Sequence, residues 1–157
     1  MVQSLVVLAE RALSIADAQR LLALHDPDRP SVRVLVPAGR RRNVLVDVLD
    51  HLSLLELRGA LGAMQGHVER SPEQAEADVR AGVTALRDLG CEASGEVVTT
   101  DPVEALAAEV QAGAEEVVIV TAPHAVEDTL HRDWASVARE RLGVPVLHVY
   151  ADSSWVG

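Results

Sequence analysis

The sequence predicts an α/β fold, an open doubly wound sheet of five parallel strands in the order 3-2-1-4-5 with helices on both faces. Three observations carry this reading. Short apolar runs, mostly β-branched, recur along the chain. Segments with helical spacing and clear start and stop residues lie between them, the alternation that parallel sheets require. Two of the five strand candidates carry polar or proline residues that suit a sheet edge and not its centre. At 157 residues, 48% of them hydrophobic, the chain is long enough for one domain over 1–157 with a packed interior, and short for two.

Leu5 to Ala9 is the first apolar run and the first strand. Ser14 can cap a helix that carries Ala18, Leu21, Leu22 and His25 on one face. That helix should stop near Asp26-Pro27, because proline disfavours helical geometry in the residue before it. Val32 to Val36 is the second strand. The stretch from about 40 to 70 is extra to a simple strand and helix alternation. Val44, Leu45, Val48, Leu49, Leu52 and Leu55 share a helical face there, so it contains an amphipathic helix packed on the sheet, with a lid or partner surface as the alternative. Ser71-Pro72-Glu73-Gln74 combines a cap, a first-turn proline and a polar residue at the capping-box position, and opens a long helix that ends at Gly90.

Glu92 to Thr99 follows as a third strand, with Ser94 and Glu96 alternating against Ala93, Gly95 and Val97; it reads as an edge. Asp101-Pro102 opens another helix, closed by Gly113. Val117 to Val120 is the fourth strand, and a last helix runs from Asp133 to Gly143. Val144 to Val149 is the fifth strand, where Pro145 and His148 mark the second edge. With the third and fifth strands outermost, the topological switch falls between the first and the fourth. Ligands of open α/β sheets bind beyond the C-terminal strand ends at such a switch, here around Ala9, Glu10, Thr121 and His124.

Composition narrows the chemistry. Twenty-four acidic residues against fourteen basic ones give a formal net charge of −10, which disfavours binding to nucleic acid or to an acidic membrane surface. All the basic residues are Arg; the absence of Lys removes the phosphate-loop lysine, Schiff-base chemistry and receiver-type phosphorelay. Cys91 is the single cysteine, so neither an internal disulfide nor a thiolate metal cluster can form within one chain, and a cytoplasmic location is expected. Leu5 to Leu8 is far too short for a signal peptide or a membrane span.

The order of elements, with Thr100-Asp101-Pro102-Val103-Glu104, then Gly113-Ala114-Glu115-Glu116-Val117-Val118-Ile119-Val120, then Val144-Pro145-Val146-Leu147-His148-Val149, resembles the universal stress protein family. The similarity covers roughly Ser4 to Val36 and Ser71 to Ala151. It implies an adenine nucleotide α-hydrolase-like, Rossmann-like sheet in the order already reached, a cytoplasmic stress-associated regulatory role, and homodimers joined through the last strand.

Many members of that family bind ATP through a glycine, two residues, a second glycine, nine residues, then glycine and Ser or Thr. Glycines let backbone amides approach phosphate at the start of a helix, where the dipole favours anions. Aligned after the fourth strand, this chain has Thr121, His124 and Trp134 at the glycine positions and Ala135 at the hydroxyl position. Ser136 offers a hydroxyl only after a one-residue shift. Pro123 removes a donor, and Glu127, Asp128 and Asp133 against Arg132 leave a local charge of −2. The family's acidic residue after the first strand has no clean counterpart, Ala9 or Glu10 being nearest. The expectation is a retained scaffold with no useful ATP affinity and no cofactor.

Further groupings are weaker. Arg40-Arg41-Arg42 lies past the second strand, where guanidinium groups could grip an anion, though a solvated turn is the plainer reading. His124, Asp128 and His131 have helical spacing compatible with a metal, but no fourth ligand accompanies them, and no metal site is expected. Cys91 reads as an incidental thiol, and no nucleophile-elbow pattern is present. Val146, His148 and Tyr150 share one face of the last strand and are the expected dimer edge.

Three functions follow from these readings. The first is a regulatory or scaffold protein acting through dimerisation and a protein partner. The second is a sensor of a modified nucleotide or other metabolite in the crevice formed by Glu10, Thr121, His124, Arg40 and Ser136. The third, ranked lowest, is an enzyme of the nucleotide-binding α/β group, for which no catalytic constellation is recognisable.

Overall fold

In the computed structural model, the residues described are 3–38, 70–121, 135 and 137–151. Five strands, β1 (Ser4–Ala9), β2 (Ser31–Pro37), β3 (Ala93–Val98), β4 (Glu116–Thr121) and β5 (Val146–Tyr150), form one sheet in the order β3-β2-β1-β4-β5. All four pairings are parallel, and Val7 at the centre stands level with Val34 on one side and Val118 on the other. The expected fold class and strand order are therefore present. The amphipathic helix expected within 40–70, with Arg40 and its neighbours, lies outside the described residues.

The interior strands are apolar on both faces because both faces are covered. Leu5, Val7, Val34, Val36 and Val118 point to one side. There they meet Ala18 and Leu21 of α1 (Ile15–Ala23) and Ala75, Val79, Val83 and Leu86 of α2 (Pro72–Asp88). Val6, Leu8, Leu35, Val117 and Ile119 point to the other. They pack on Leu106 of α3 (Pro102–Gln111) and on Ala138 and Leu142 of a helical stretch over 137–142. Each large side chain removed from water here contributes about 1.5–3 kcal/mol.

Local signals set the helix ends. Ser14 and Ser71 cap α1 and α2, each in a reciprocal capping box with Asp17 or Gln74. The Asp101 side chain accepts from the Val103 and Glu104 amides at the start of α3. Helix α1 stops at Ala23, earlier than the proline alone implies. Its last turn tightens, with the His25 amide bonded to the Leu22 carbonyl at 3.1 Å. His25 then ties the end of α1 to the sheet: Nδ1 donates to the Leu21 carbonyl at 2.8 Å, and Nε2 lies 3.2 Å from Glu116 Oε2 at the start of β4.

Both edges carry the expected marks. On β3, Ser94 and Glu96 are exposed; Arg33 of β2 reaches Glu96 at 2.9 Å and Glu109 of α3 at 3.2 Å. Gly95 is needed on the covered face, because a Cβ there would stand 2.7 Å from the Val34 carbonyl oxygen. At β5 the ladder begins at Val146, two residues after the expected Val144. Pro145 has no amide to give and joins only by its carbonyl, which accepts from Val117 at 2.9 Å. Among the described residues no helix is long and apolar enough to cross a membrane.

Candidate functional site

In this topology α1 and α2 cover one face and α3 the other, and the strand order reverses between β1 and β4, so the C-terminal ends of these two strands are where an open sheet of this kind takes a ligand. Pairing continues one residue past β1, where the Glu10 amide donates to the Val120 carbonyl at 3.1 Å. That bond extends the β1–β4 ladder to the residue after β1. Ala9 is fully buried in the core, so it offers a ligand no side-chain surface. Glu10 is half-buried just beyond the strand.

Thr121 ends β4 with its side chain turned inward, 1% exposed. Its Oγ1 lies 2.8 Å from Nε2 of His148, itself 2% exposed on the neighbouring strand. The hydroxyl donates to, or accepts from, that ring nitrogen according to the tautomer. The Thr121 carbonyl is also engaged, accepting from the Ala151 amide at 2.7 Å. Tyr150, level with Thr121 in the register, sets its ring 4.7 Å from that of His148 at a 45° tilt. Thus the end of β4 is tied to β5 through both side chain and backbone. Separate positions in the sequence, Thr121 for a crevice and His148 and Tyr150 for an edge, meet as one cluster, while Val146 is half-buried against the α3 side.

A charged group at the same rim escapes sequence reading. Arg70, just before α2, lies directly against Asp78 Oδ2, which is otherwise buried without a hydrogen bond among the described residues; the two form a contact ion pair. Burial, and then the guanidinium of Arg11, hold Arg70 below the usual arginine range, with Glu10 opposing. Arg11, Arg70 and Glu10 therefore share one electrostatic neighbourhood although Glu10 and Arg70 are far apart in sequence. No pattern at fixed spacing announces such a cluster; only the switch-point topology, which places the chain after β1 near the entry to α2, could have pointed to it.

His124, Arg40 and Ser136 lie outside the described residues, as does the group His124, Asp128 and His131 considered for a metal. Among the described residues no three His, Cys, Asp or Glu side chains are placed to hold a metal ion. Cys91 is buried, with Sγ 3.3 Å from the Pro30 carbonyl, and burial pushes its thiol above the ordinary range despite nearby Arg29.

The hypothetical protein MJ0577, whose structure was used to assign its biochemical function, superposes with a TM-score of 0.59 at 14% identity, over 98% of this chain and 100% of that one. The universal stress protein from Archaeoglobus fulgidus gives a TM-score of 0.50 at 14% identity, over 97% and 96%. The fold is that of a universal stress protein. No family model matches the sequence, and no curated protein matches it. At this identity the likeness concerns architecture alone.

Proposed function

We propose that this universal-stress-protein-like chain is a cytoplasmic regulatory or scaffold protein that works by dimerising and binding a protein partner, and not by binding ATP or catalysing a reaction. One observation carries the reading. The first position of the family's phosphate signature is filled by Thr121, whose hydroxyl is committed to buried His148 and not offered to a ligand. The same contact fastens β5 to β4, and β5 is an outermost strand, so the tie supports a firm edge on which a second copy can pair. The net charge of −10 weighs against nucleic acid as the partner.

The charged rim favours a second reading, a sensor. Arg11 and Arg70 beside Glu10 could receive an anionic group of a metabolite or modified nucleotide without the glycine loop. Two measurements test these readings. Sedimentation at tens of micromolar protein should give a dimer, and titration calorimetry with Mg²⁺ and ATP should give no saturable heat. A monomer alone, or saturable low-micromolar ATP binding, overturns the first reading. Saturable binding of another phosphorylated metabolite, lost in Arg70→Ala, would put the sensor in its place.

A further inference from the structure

The opposite rim of the sheet, where chains enter the strands, holds a cleft of about 340 Å³ between the end of α1, the loop into β2 and the end of α2. Its volume lies at the lower end of small-molecule pockets, about 300–1,000 Å³. The floor is apolar: Leu22 and Leu89 are half-buried, and Cys91 is buried with its thiol directed to the Pro30 carbonyl. Asp26, Asp28 and Arg29 line the same cleft. No ion pair joins any of these three charged side chains to a described residue. Gly90 leaves room for Arg29, whose Nη1 would stand 3.2 Å from a Cβ at that position.

Charges of both signs, without an ion-pair partner among the described residues, over an apolar floor select a particular kind of molecule. A simple anion meets two carboxylates, and a simple cation meets a guanidinium. A molecule carrying both charges close together and an apolar tail satisfies all three elements: its carboxylate pairs with Arg29, its ammonium with Asp26 or Asp28, and its tail covers Leu22 and Leu89. We infer that this cleft is a binding site for a small apolar zwitterion, an α-amino acid with an aliphatic or aromatic side chain. This inference is independent of the dimer reading, which concerns the β5 edge, and of the ATP reading, which concerns the other rim.

The test uses the full chain, labelled with ¹⁵N and titrated with L-phenylalanine, L-leucine, L-phenylalanine methyl ester and N-acetyl-L-phenylalanine at neutral pH. The two free amino acids should shift the Leu22, Leu89 and Gly90 amides saturably, with Kd of about 1 mM or tighter. The ester, lacking the carboxylate, and the acetyl derivative, lacking the ammonium, should each bind about tenfold more weakly. Arg29→Gln should weaken L-phenylalanine to the level of the ester and leave the ester unchanged. Spectral dispersion verifies that this surface variant is folded. Absence of saturable shifts, equal binding by all the phenylalanine forms, shifts confined to the Glu10 and Val120 region, or an Arg29→Gln chain that binds as well as the parent would each overturn the assignment.

Discussion

Replacing Thr121 by Val tests how firmly the crevice end of β4 is held. The two side chains are nearly the same shape, so the change removes one hydroxyl and leaves the packing alone. Within the fold that hydroxyl lies 2.8 Å from His148 Nε2, with both side chains almost fully buried. Removing one partner of such a pair leaves Nε2 facing a methyl group away from water, at a cost of about 1–3 kcal/mol. For a chain of this size each kcal/mol lowers Tm by about 2–4 °C. Urea unfolding followed by circular dichroism measures the loss directly, because the midpoint should fall with little change in slope. His148→Leu in the Thr121→Val background removes the facing nitrogen too, and should recover part of the loss. If Thr121→Val changes stability by less than about 0.5 kcal/mol, the hydroxyl is not committed as described, and the argument against ATP loses its main support.

Three further outcomes are expected. Cys91, buried and with its thiol pushed up, should react with iodoacetamide at pH 8 at least about tenfold more slowly in the native chain than in urea; equal rates would show an open thiol. His25→Ala, which loses the bonds to the Leu21 carbonyl and to Glu116, should cost about 1–3 kcal/mol. Glu116→Gln, still able to hydrogen-bond the ring, should cost less, as chemical denaturation would show. Ser71→Ala should destabilise the chain by about 1 kcal/mol through loss of the α2 cap. The neighbouring Glu73 carboxyl is held below the ordinary range by its own backbone amide and then by Ser71. Its contribution is therefore complete above the unfolded carboxylate range and disappears as pH falls through the depressed folded value. Glu73→Gln should flatten that part of an acid titration of stability.

Much of the architecture was legible because local chemistry and burial agree. Ser71-Pro72-Glu73-Gln74 announces a helix start by itself, and Val34 to Val36 and Val117 to Val120 are apolar at successive positions because helices cover both faces. The edges could be read from Glu96 and Pro145, and from the edges the strand order. Less could be read of the site. Thr121 and His148 belong to different strands, and only their parallel register makes them neighbours. Arg70 escaped notice because its meaning depends on Arg11 and Glu10, remote in sequence. The N-terminal cleft was illegible for the same reason: Arg29 and Leu89 join through loop geometry, which hydrophobic periodicity does not encode.

The guanidinium bridge on β2 has a bearing on how copies of this chain can associate. Arg33, clamped between Glu96 and Glu109, fills the border of β3 with charge that a stacking neighbour would have to strip of water. At the β5 border Arg139 Nε donates to the Val146 carbonyl at 3.2 Å, but among the described residues no ion pair lies across that edge. A self-complementary union at one border about a two-fold axis consumes that border on both participants, and the guarded flank offers nowhere to continue. In the proposed dimer, growth would then stop at a pair, and an open parallel sheet would not become the first link of a fibre.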